Sequence, residues 1–152
     1  MNVLFVCTGN TCRSPMCEGY LRSLCEKSGR TDIHATSAGL FAYPGGTASP
    51  QACEVMKKYN ADISGHAVRP VDAQSVSQAD LILAMTGSHR KNLCSAFPDA
   101  AGKVHLLLEY ADAPGADVPD PFGGSFQTYE SCFKKMKKAI DNLFLTLNTK
   151  IK

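Results

Sequence analysis

A short apolar run followed by a polar loop and a proline constrains the fold of this chain most strongly. Residues 3–6, Val-Leu-Phe-Val, have the length and composition of a buried strand. Ser14 and Pro15 pair a residue that caps helices with the residue preferred at the first helical position. The sequence therefore predicts a strand, a tight loop and a helix, with Cys7 at the end of the strand and Arg13 at the start of the helix.

This loop has the chemistry of a site for a phosphate-like dianion. Its backbone N–H groups can point inward as a nest, and the helix N-terminus adds partial positive charge. Arg13 can offer a bidentate guanidinium to two oxygens. We expect the same field to lower the pKa of Cys7 and hold it as a nucleophilic thiolate, with Ser14 donating a hydrogen bond to the sulfur. Gly9 is expected to let the backbone turn without steric cost.

Residues 7–15, CTGNTCRSP, resemble the phosphate loop of the low-molecular-weight protein tyrosine phosphatases. Thr11 makes the loop most similar to the bacterial protein-arginine phosphatases within that family. The resemblance covers nearly the whole chain and implies a single α/β domain over residues 1–152, with a four-stranded parallel sheet, flavodoxin-like, flanked by helices. It implies Cys7 and Arg13 as catalytic residues and a set of phosphate-binding residues: Thr8, Gly9, Asn10, Thr11, Cys12 and Ser14.

Length and composition agree with a globular enzyme. The chain has 152 residues, a net charge of +2 and seven cysteines at scattered spacings. The small charge does not favour a nucleic-acid or membrane partner, and the odd cysteine count is not that of a secreted disulfide framework. We find no metal-ligand spacing, and the mechanism that the family implies needs no cofactor. Because the first apolar run starts so early, we expect no signal peptide, and together with the cysteine pattern this favours a cytoplasmic protein. The sequence does not give the oligomeric state, and a monomer is favoured.

The rest of the chain alternates helical and strand patterns. Helices are predicted over residues 15–28, 50–59, 71–78, 89–97 and 125–146, and strands over residues 32–38, 80–85 and 103–107. In the last helix we expect a buried face and a solvated face, the buried one being Phe126, Tyr129, Phe133, Met136, Ile140, Leu143 and Leu147, and the solvated one Lys134, Lys135, Lys137 and Lys138. Alternation of this kind favours a parallel sheet with ligands at the carboxyl ends of its strands. Residues 109–124 are predicted to form a long functional loop.

Asp120 in that loop is the candidate general acid. Flanking prolines stiffen the backbone and fix where the carboxyl group points. Asp-Pro is also common in ordinary turns, so the residue pattern alone leaves both roles open. The family resemblance favours the acid, because the family places it in an Asp-Pro-aromatic motif in this loop. Asp112 and Asp117 are poorer candidates.

Asn10 and two further residues are expected to support the site. Asn10 can hold the loop in shape through amide hydrogen bonds, and Ser37 at the end of the second predicted strand can reach it. His66 resembles the family histidine that buttresses this asparagine, although a purely structural histidine is the alternative. The other three histidines, His34, His89 and His105, have no partner that the sequence identifies.

The substrate follows from two departures from the tyrosine phosphatases. Those enzymes usually have Ile or Leu where Thr11 stands, and Tyr where Phe122 stands. A guanidinium group needs hydrogen-bond acceptors, and the Thr11 hydroxyl is one, while Phe122 can cover the planar group. We therefore expect phosphoarginine in proteins as the substrate and inorganic phosphate as the product, with phosphotyrosine as the alternative.

Two other classes of function remain open at this point. An arsenate reductase of related fold would need a redox cysteine pair near residues 80–95, where only Cys94 stands. A non-catalytic phosphate-binding module would not require Cys7, Arg13 and Asp120 together. Cys12 can be a partner of Cys7 in a reversible disulfide or a small buried hydrophobic residue.

Overall fold

The fold is built on four short parallel strands. A computed structural model describes residues 1–149, and its strands are β1 (Asn2–Cys7), β2 (His34–Gly39), β3 (Leu81–Ala84) and β4 (Val104–Leu106). Their order in the sheet is β2-β1-β3-β4, and all three pairings are parallel. This confirms the predicted sheet, with the two most apolar strands at its centre.

Five α-helices cover the two faces of this sheet. They are α1 (Arg13–Ser28), α2 (Pro50–Lys58), α3 (Ala73–Gln78), α4 (Gly87–Ala96) and α5 (Phe126–Thr149). Helices α1, α2 and α5 pack on the face that carries Val3 and Phe5, whereas α3 and α4 pack on the face that carries Leu4 and Val6. Because successive side chains of β1 point to opposite faces of the sheet, the strand contributes to two separate hydrophobic clusters.

Helix α5 confirms most of the predicted burial. Six of the seven expected core positions are buried, and Phe126 at the helix start is half-buried against the same cluster. Lys137 departs from the expected solvated face, because it is half-buried and its Nζ lies 2.9 Å from Asp141 Oδ2. The other three lysines are exposed as expected.

Several boundaries differ from the sequence prediction. Helix α1 begins at Arg13, and its N-cap residue is Cys12 without a side-chain cap, so Ser14 is not the cap. Its hydroxyl bonds inside the site instead. The Ser49 cap before Pro50 is confirmed, since Ser49 Oγ accepts from Ala52 N. Two short 3-10 turns, Pro98–Lys103 and Leu107–Ala111, were not predicted.

Parallel strands place their carboxyl ends at one edge of the sheet. Cys7 ends β1, Gly39 ends β2, and Met85 follows β3, so the loops that carry the candidate site residues meet there. Among the described helices, none combines the length and the apolar composition that crossing a membrane requires.

Candidate active site

The loop between β1 and α1 lines a small cavity at this edge. The cavity has a volume of about 200 Å³. It brings together most of the residues predicted from the sequence, and its walls are Cys7, Thr8, Gly9, Thr11, Cys12, Arg13, Asp120 and Phe122. A space of this size suits a phosphoryl group and the first atoms beyond it.

Cys7 lies at the bottom of the site. This residue is 2% exposed, and its Sγ lies 2.9 Å from Ser14 Oγ. Burial raises the pKa of the Cys7 thiol, while the Ser14 hydroxyl, the backbone N–H groups of Ser14 and Asn10, and the charge of Arg13 act in the opposite direction. Desolvation outweighs the donors that surround the sulfur, so the pKa of Cys7 lies above its ordinary value and not below it as expected.

Asn10 organises the loop. It is fully buried and holds a left-handed backbone conformation at φ 58°, which few residues other than glycine tolerate. Its Nδ2 donates to Ser14 Oγ at 2.8 Å and to Ser37 Oγ at 2.9 Å, and its Oδ1 accepts from Arg69 N at 3.0 Å. His66 Nε2 lies 2.9 Å from the Asn10 carbonyl oxygen. The structure thus brings Ser37 and His66 to Asn10 as predicted.

The glycine that the loop requires is Gly39 rather than Gly9. Gly9 has no positive φ, and a Cβ added there would meet only Thr11 Oγ1 at 3.7 Å, an ordinary contact. A Cβ on Gly39 would lie 2.5 Å from the Thr8 carbonyl oxygen. The absence of a side chain at the end of β2 therefore makes room for the loop, a long-range effect that local sequence does not reveal.

Arg13 joins the loop to the segment that carries Asp120. Its side chain is buried, and Nη1 donates to Val118 O at 3.0 Å. Its Nη2 lies 3.7 Å from Asp120 Oδ2. Val118 N in turn donates to Met85 O at 2.8 Å, which anchors this segment to the end of β3. The guanidinium is therefore fixed at the cavity with part of its donor capacity unused.

Asp120 stands at the cavity mouth. Its side chain is 55% exposed, and Oδ1 accepts from the backbone N–H of Phe122 at 3.0 Å. Phe122 is 75% exposed and lines the same cavity. Asp117 is used differently, because its Oδ1 accepts from Gly87 N at the start of α4. Asp120 is thus the carboxyl group of this loop that lines the cavity.

Thr11 and Cys12 connect the loop to the helices behind it. Thr11 O accepts from Ser49 N at 2.9 Å, which ties the loop to the start of α2. Cys12 is buried, and its Sγ lies 3.2 Å from Tyr129 OH. Cys7 and Cys12 are both free thiols here.

Two polar residues near the site were missed by sequence reasoning. His89 Nε2 lies 2.7 Å from Thr8 Oγ1 although the two residues are 81 positions apart. Glu18 is buried and accepts from Ser37 Oγ at 2.9 Å, extending the Asn10 network. Neither residue carried a local sequence signal, because each joins the site through a partner that is distant in the chain.

The arrangement can do one kind of chemistry well. A sulfur nucleophile lies beside backbone N–H groups and a fixed guanidinium, and a carboxyl group stands across the cavity. Donors of this kind stabilise the equatorial oxygens of a phosphoryl group in transfer. Within residues 1–149, His, Cys, Asp and Glu side chains do not gather into a set that could bind a metal ion.

Comparison with known proteins gives a consistent result. The family model described as "Low molecular weight phosphotyrosine protein phosphatase" matches residues 2–152. A protein-arginine-phosphatase of Bacillus subtilis is 38% identical over 143 residues, covering 94% of each chain. The low molecular weight protein-tyrosine-phosphatase PtpB of Staphylococcus haemolyticus is 37% identical over 147 residues, covering 94% of this chain and 97% of its own.

The solved structures agree with these relatives. A structure of the YwlE arginine phosphatase, in a mutant with a phosphorylated active site serine, superposes with a TM-score of 0.92 at 37% identity, covering 97% of this chain and 96% of its own. The YwlE arginine phosphatase from Geobacillus stearothermophilus gives a TM-score of 0.90 at 34% identity, with 98% and 94% covered. On the match to residues 2–152 and these identities, this chain belongs to the low molecular weight phosphotyrosine protein phosphatase family.

Proposed function

We propose that this protein is a protein-arginine phosphatase that acts through a cysteinyl-phosphate intermediate. The observation that carries the proposal is the single cavity that holds Cys7, Arg13 and Asp120 together with Thr11 at its wall. The protein-arginine phosphatase of Bacillus subtilis, at 38% identity, supports the choice of substrate. Phosphorylated proteins are then the partners, and inorganic phosphate is the product.

The first step transfers the phosphoryl group to sulfur. The thiolate of Cys7 attacks phosphorus, the bond from phosphorus to the guanidinium nitrogen breaks, and Asp120 gives its proton to that nitrogen. Arg13 and the backbone N–H groups of the loop bind the three equatorial oxygens. The Ser14 hydroxyl, 2.9 Å from the sulfur, stabilises the thiolate against the cost of burial.

The second step returns the enzyme to its starting state. Asp120, now a carboxylate, takes a proton from a water molecule, and the oxygen of that water attacks phosphorus. The bond from sulfur to phosphorus breaks, and Cys7 leaves as the thiolate. The exposure of Asp120 at the cavity mouth is consistent with access of water to this position.

Selectivity for arginine is assigned to the cavity mouth. A guanidinium group carries several N–H donors and needs acceptors, which the Thr11 hydroxyl and the oxygens of the protonated Asp120 carboxyl group provide. The exposed Phe122 ring can stack on the planar group. Phosphotyrosine is the second candidate, supported by the PtpB relative at 37% identity.

All seven cysteines are free thiols, as expected for a protein kept in a reducing compartment, and we propose that it acts in the cytoplasm as a monomer.

A matched pair of peptides tests the substrate. We expect the wild type to have a higher kcat/KM for a phosphoarginine peptide than for a phosphotyrosine peptide of the same sequence. Thr11→Ile should reduce this preference, because a hydrogen bond to a charged group is worth about 1.5–3 kcal/mol, or roughly ten- to a hundredfold in rate. The aryl substrate should gain about 1 kcal/mol from the added apolar surface.

Thr146→Ile is the control, since Thr146 lies on α5 and its hydroxyl donates to Asn142 O. It should leave the ratio of the two kcat/KM values where it is. A wild type that prefers phosphotyrosine would refute the arginine assignment, whereas the roles of Cys7 and Arg13 would stand. A ratio that Thr11→Ile does not move would remove Thr11 from the selectivity argument.

A further inference from the structure

A buried histidine holds one hydroxyl at the rim of the cavity. Thr8 follows β1 and His89 follows β3, the two central strands whose helices cross to opposite faces of the sheet. Ligands of such folds bind at this switch point. His89 Nε2 and Thr8 Oγ1 are 2.7 Å apart, a short hydrogen bond for this pair of atoms.

His89 has little freedom apart from this contact. His89 is 6% exposed. Its backbone N–H donates to Thr86 Oγ1 at 3.1 Å in the first turn of α4. Among residues 1–149, its Nδ1 is the one buried side-chain nitrogen or oxygen without a hydrogen-bond partner. The hydrogen bond to Thr8 is therefore the one polar contact of the ring in the described part of the chain, and it is made toward the site.

The charge state of His89 suits a site that admits a cation. Burial and the nearby Arg13 lower the pKa of His89 to about 4, against the opposing effect of Asp117 and Asp120. The ring is neutral at neutral pH. It places no second positive charge beside Arg13 at the cavity.

The Thr8 hydroxyl keeps a lone pair with which it can accept a hydrogen bond from a substrate. Thr8 is exposed and lines the cavity with Thr11 and Asp120. If Nε2 donates to Thr8 Oγ1, one lone pair of this oxygen stays free, and if Nε2 accepts, both stay free. In either tautomer Thr8 can accept a hydrogen bond from a group that lies beyond phosphorus.

We propose that His89 is a positioning residue that orients the Thr8 hydroxyl toward the guanidinium group of the substrate, so that Thr8 and His89 together add selectivity for phosphoarginine. This inference rests on the proposed function, and it assigns a second hydroxyl acceptor at the cavity in addition to that of Thr11. The phosphoryl oxygens are bound by backbone N–H groups of the loop, which leaves the Thr8 side chain available for the leaving group.

The test compares kcat/KM for matched phosphoarginine and phosphotyrosine peptides. Thr8→Val removes the hydroxyl and should lower the ratio of the two values by roughly ten- to a hundredfold. His89→Leu keeps the hydroxyl but frees it among three staggered rotamers, so the ratio should fall about threefold. His89→Gln offers an amide near the position of Nε2 and should restore most of this loss.

The double variant and a control make the result specific. Because His89 acts through Thr8, the double variant of Thr8→Val and His89→Leu should have the same ratio as Thr8→Val alone. His34→Leu is the matched control, since His34 starts β2 at the opposite edge of the sheet and is exposed. It should not move the ratio. A defect of general folding would lower both kcat/KM values together and would not change their ratio.

The outcomes separate the two proposals. A wild type that prefers phosphotyrosine would refute the proposed function itself. A wild type that prefers phosphoarginine, with a ratio that Thr8→Val leaves within about twofold, would overturn the role of Thr8 and His89 alone. If His89→Leu does not fold, Thr8→Val and His89→Gln test the roles of Thr8 and His89 through the same ratio of the two kcat/KM values.

Discussion

The replacement Ser14→Ala tests how the loop stabilises the Cys7 thiolate. Ser14 Oγ lies 2.9 Å from Cys7 Sγ, and both side chains are almost fully buried. Asn10 Nδ2 donates to Ser14 Oγ, which leaves the hydroxyl proton of Ser14 free to point at the sulfur. We expect Ser14→Ala to raise the pKa of Cys7 further above its ordinary value, since burial already raises it.

The size of this effect follows from the burial of the pair. A hydrogen bond to a charged group is worth about 1.5–3 kcal/mol. One pKa unit corresponds to about 1.4 kcal/mol, so the pKa of Cys7 should rise by about one to two units. The thiolate fraction at neutral pH, and kcat/KM with it, should then fall roughly ten- to a hundredfold.

The assay is the rate of alkylation of Cys7 as a function of pH, read by peptide mapping because the chain has seven cysteines. Ser23→Ala is the matched control: Ser23 is buried on the same helix, and its hydroxyl donates to Tyr20 O. Ser23→Ala should leave the titration of Cys7 in place. An unchanged alkylation profile in Ser14→Ala would refute the argument that this hydroxyl stabilises the thiolate.

Three further predictions address the other parts of the site. Asp120→Asn should slow the first step roughly 10²–10⁴-fold for a phosphoarginine peptide and less for an activated aryl phosphate; an equal, small loss on both would indicate another acid. Gly39→Ala should weaken binding of inorganic phosphate, measured by calorimetry, because the new Cβ would lie 2.5 Å from a loop carbonyl oxygen; Gly65→Ala, with open space around it, should not. Mild peroxide should inactivate the enzyme reversibly through a disulfide between Cys7 and Cys12, and peptide mapping that finds sulfinic acid at Cys7 with free Cys12 would contradict this.

Local sequence was sufficient for the elements that depend on local chemistry. The apolar run at residues 3–6 formed a strand, and the Ser49 cap with Pro50 began a helix where the pair stands. The strand, loop and helix around Cys7 placed the nucleophile and Arg13 in one cavity. Each of these features is decided by residues that are close in the chain.

The features that sequence missed depend on residues that are distant in the chain. Ser14 has the residue type of a helix cap. Its hydroxyl instead lies between Cys7 Sγ and Asn10 Nδ2 and forms hydrogen bonds inside the buried site. His89 reaches Thr8 only because β1 and β3 are neighbours in the sheet. The raised pKa of Cys7 has the same origin, since the burial of its thiol depends on how the whole chain packs around the loop.

The most direct test of the account is to identify the residue that carries the phosphoryl group during turnover. The Asp120→Asn variant lacks the base for the second step and should accumulate the intermediate when mixed with an activated aryl phosphate; wild type mixed rapidly with a phosphoarginine peptide should form it transiently. After an acid quench, peptide mapping should find one phosphoryl group on Cys7 in both samples. A phosphoryl group on another residue, or turnover of the phosphoarginine peptide without any phosphorylated Cys7, would contradict the role of Cys7 as the nucleophile.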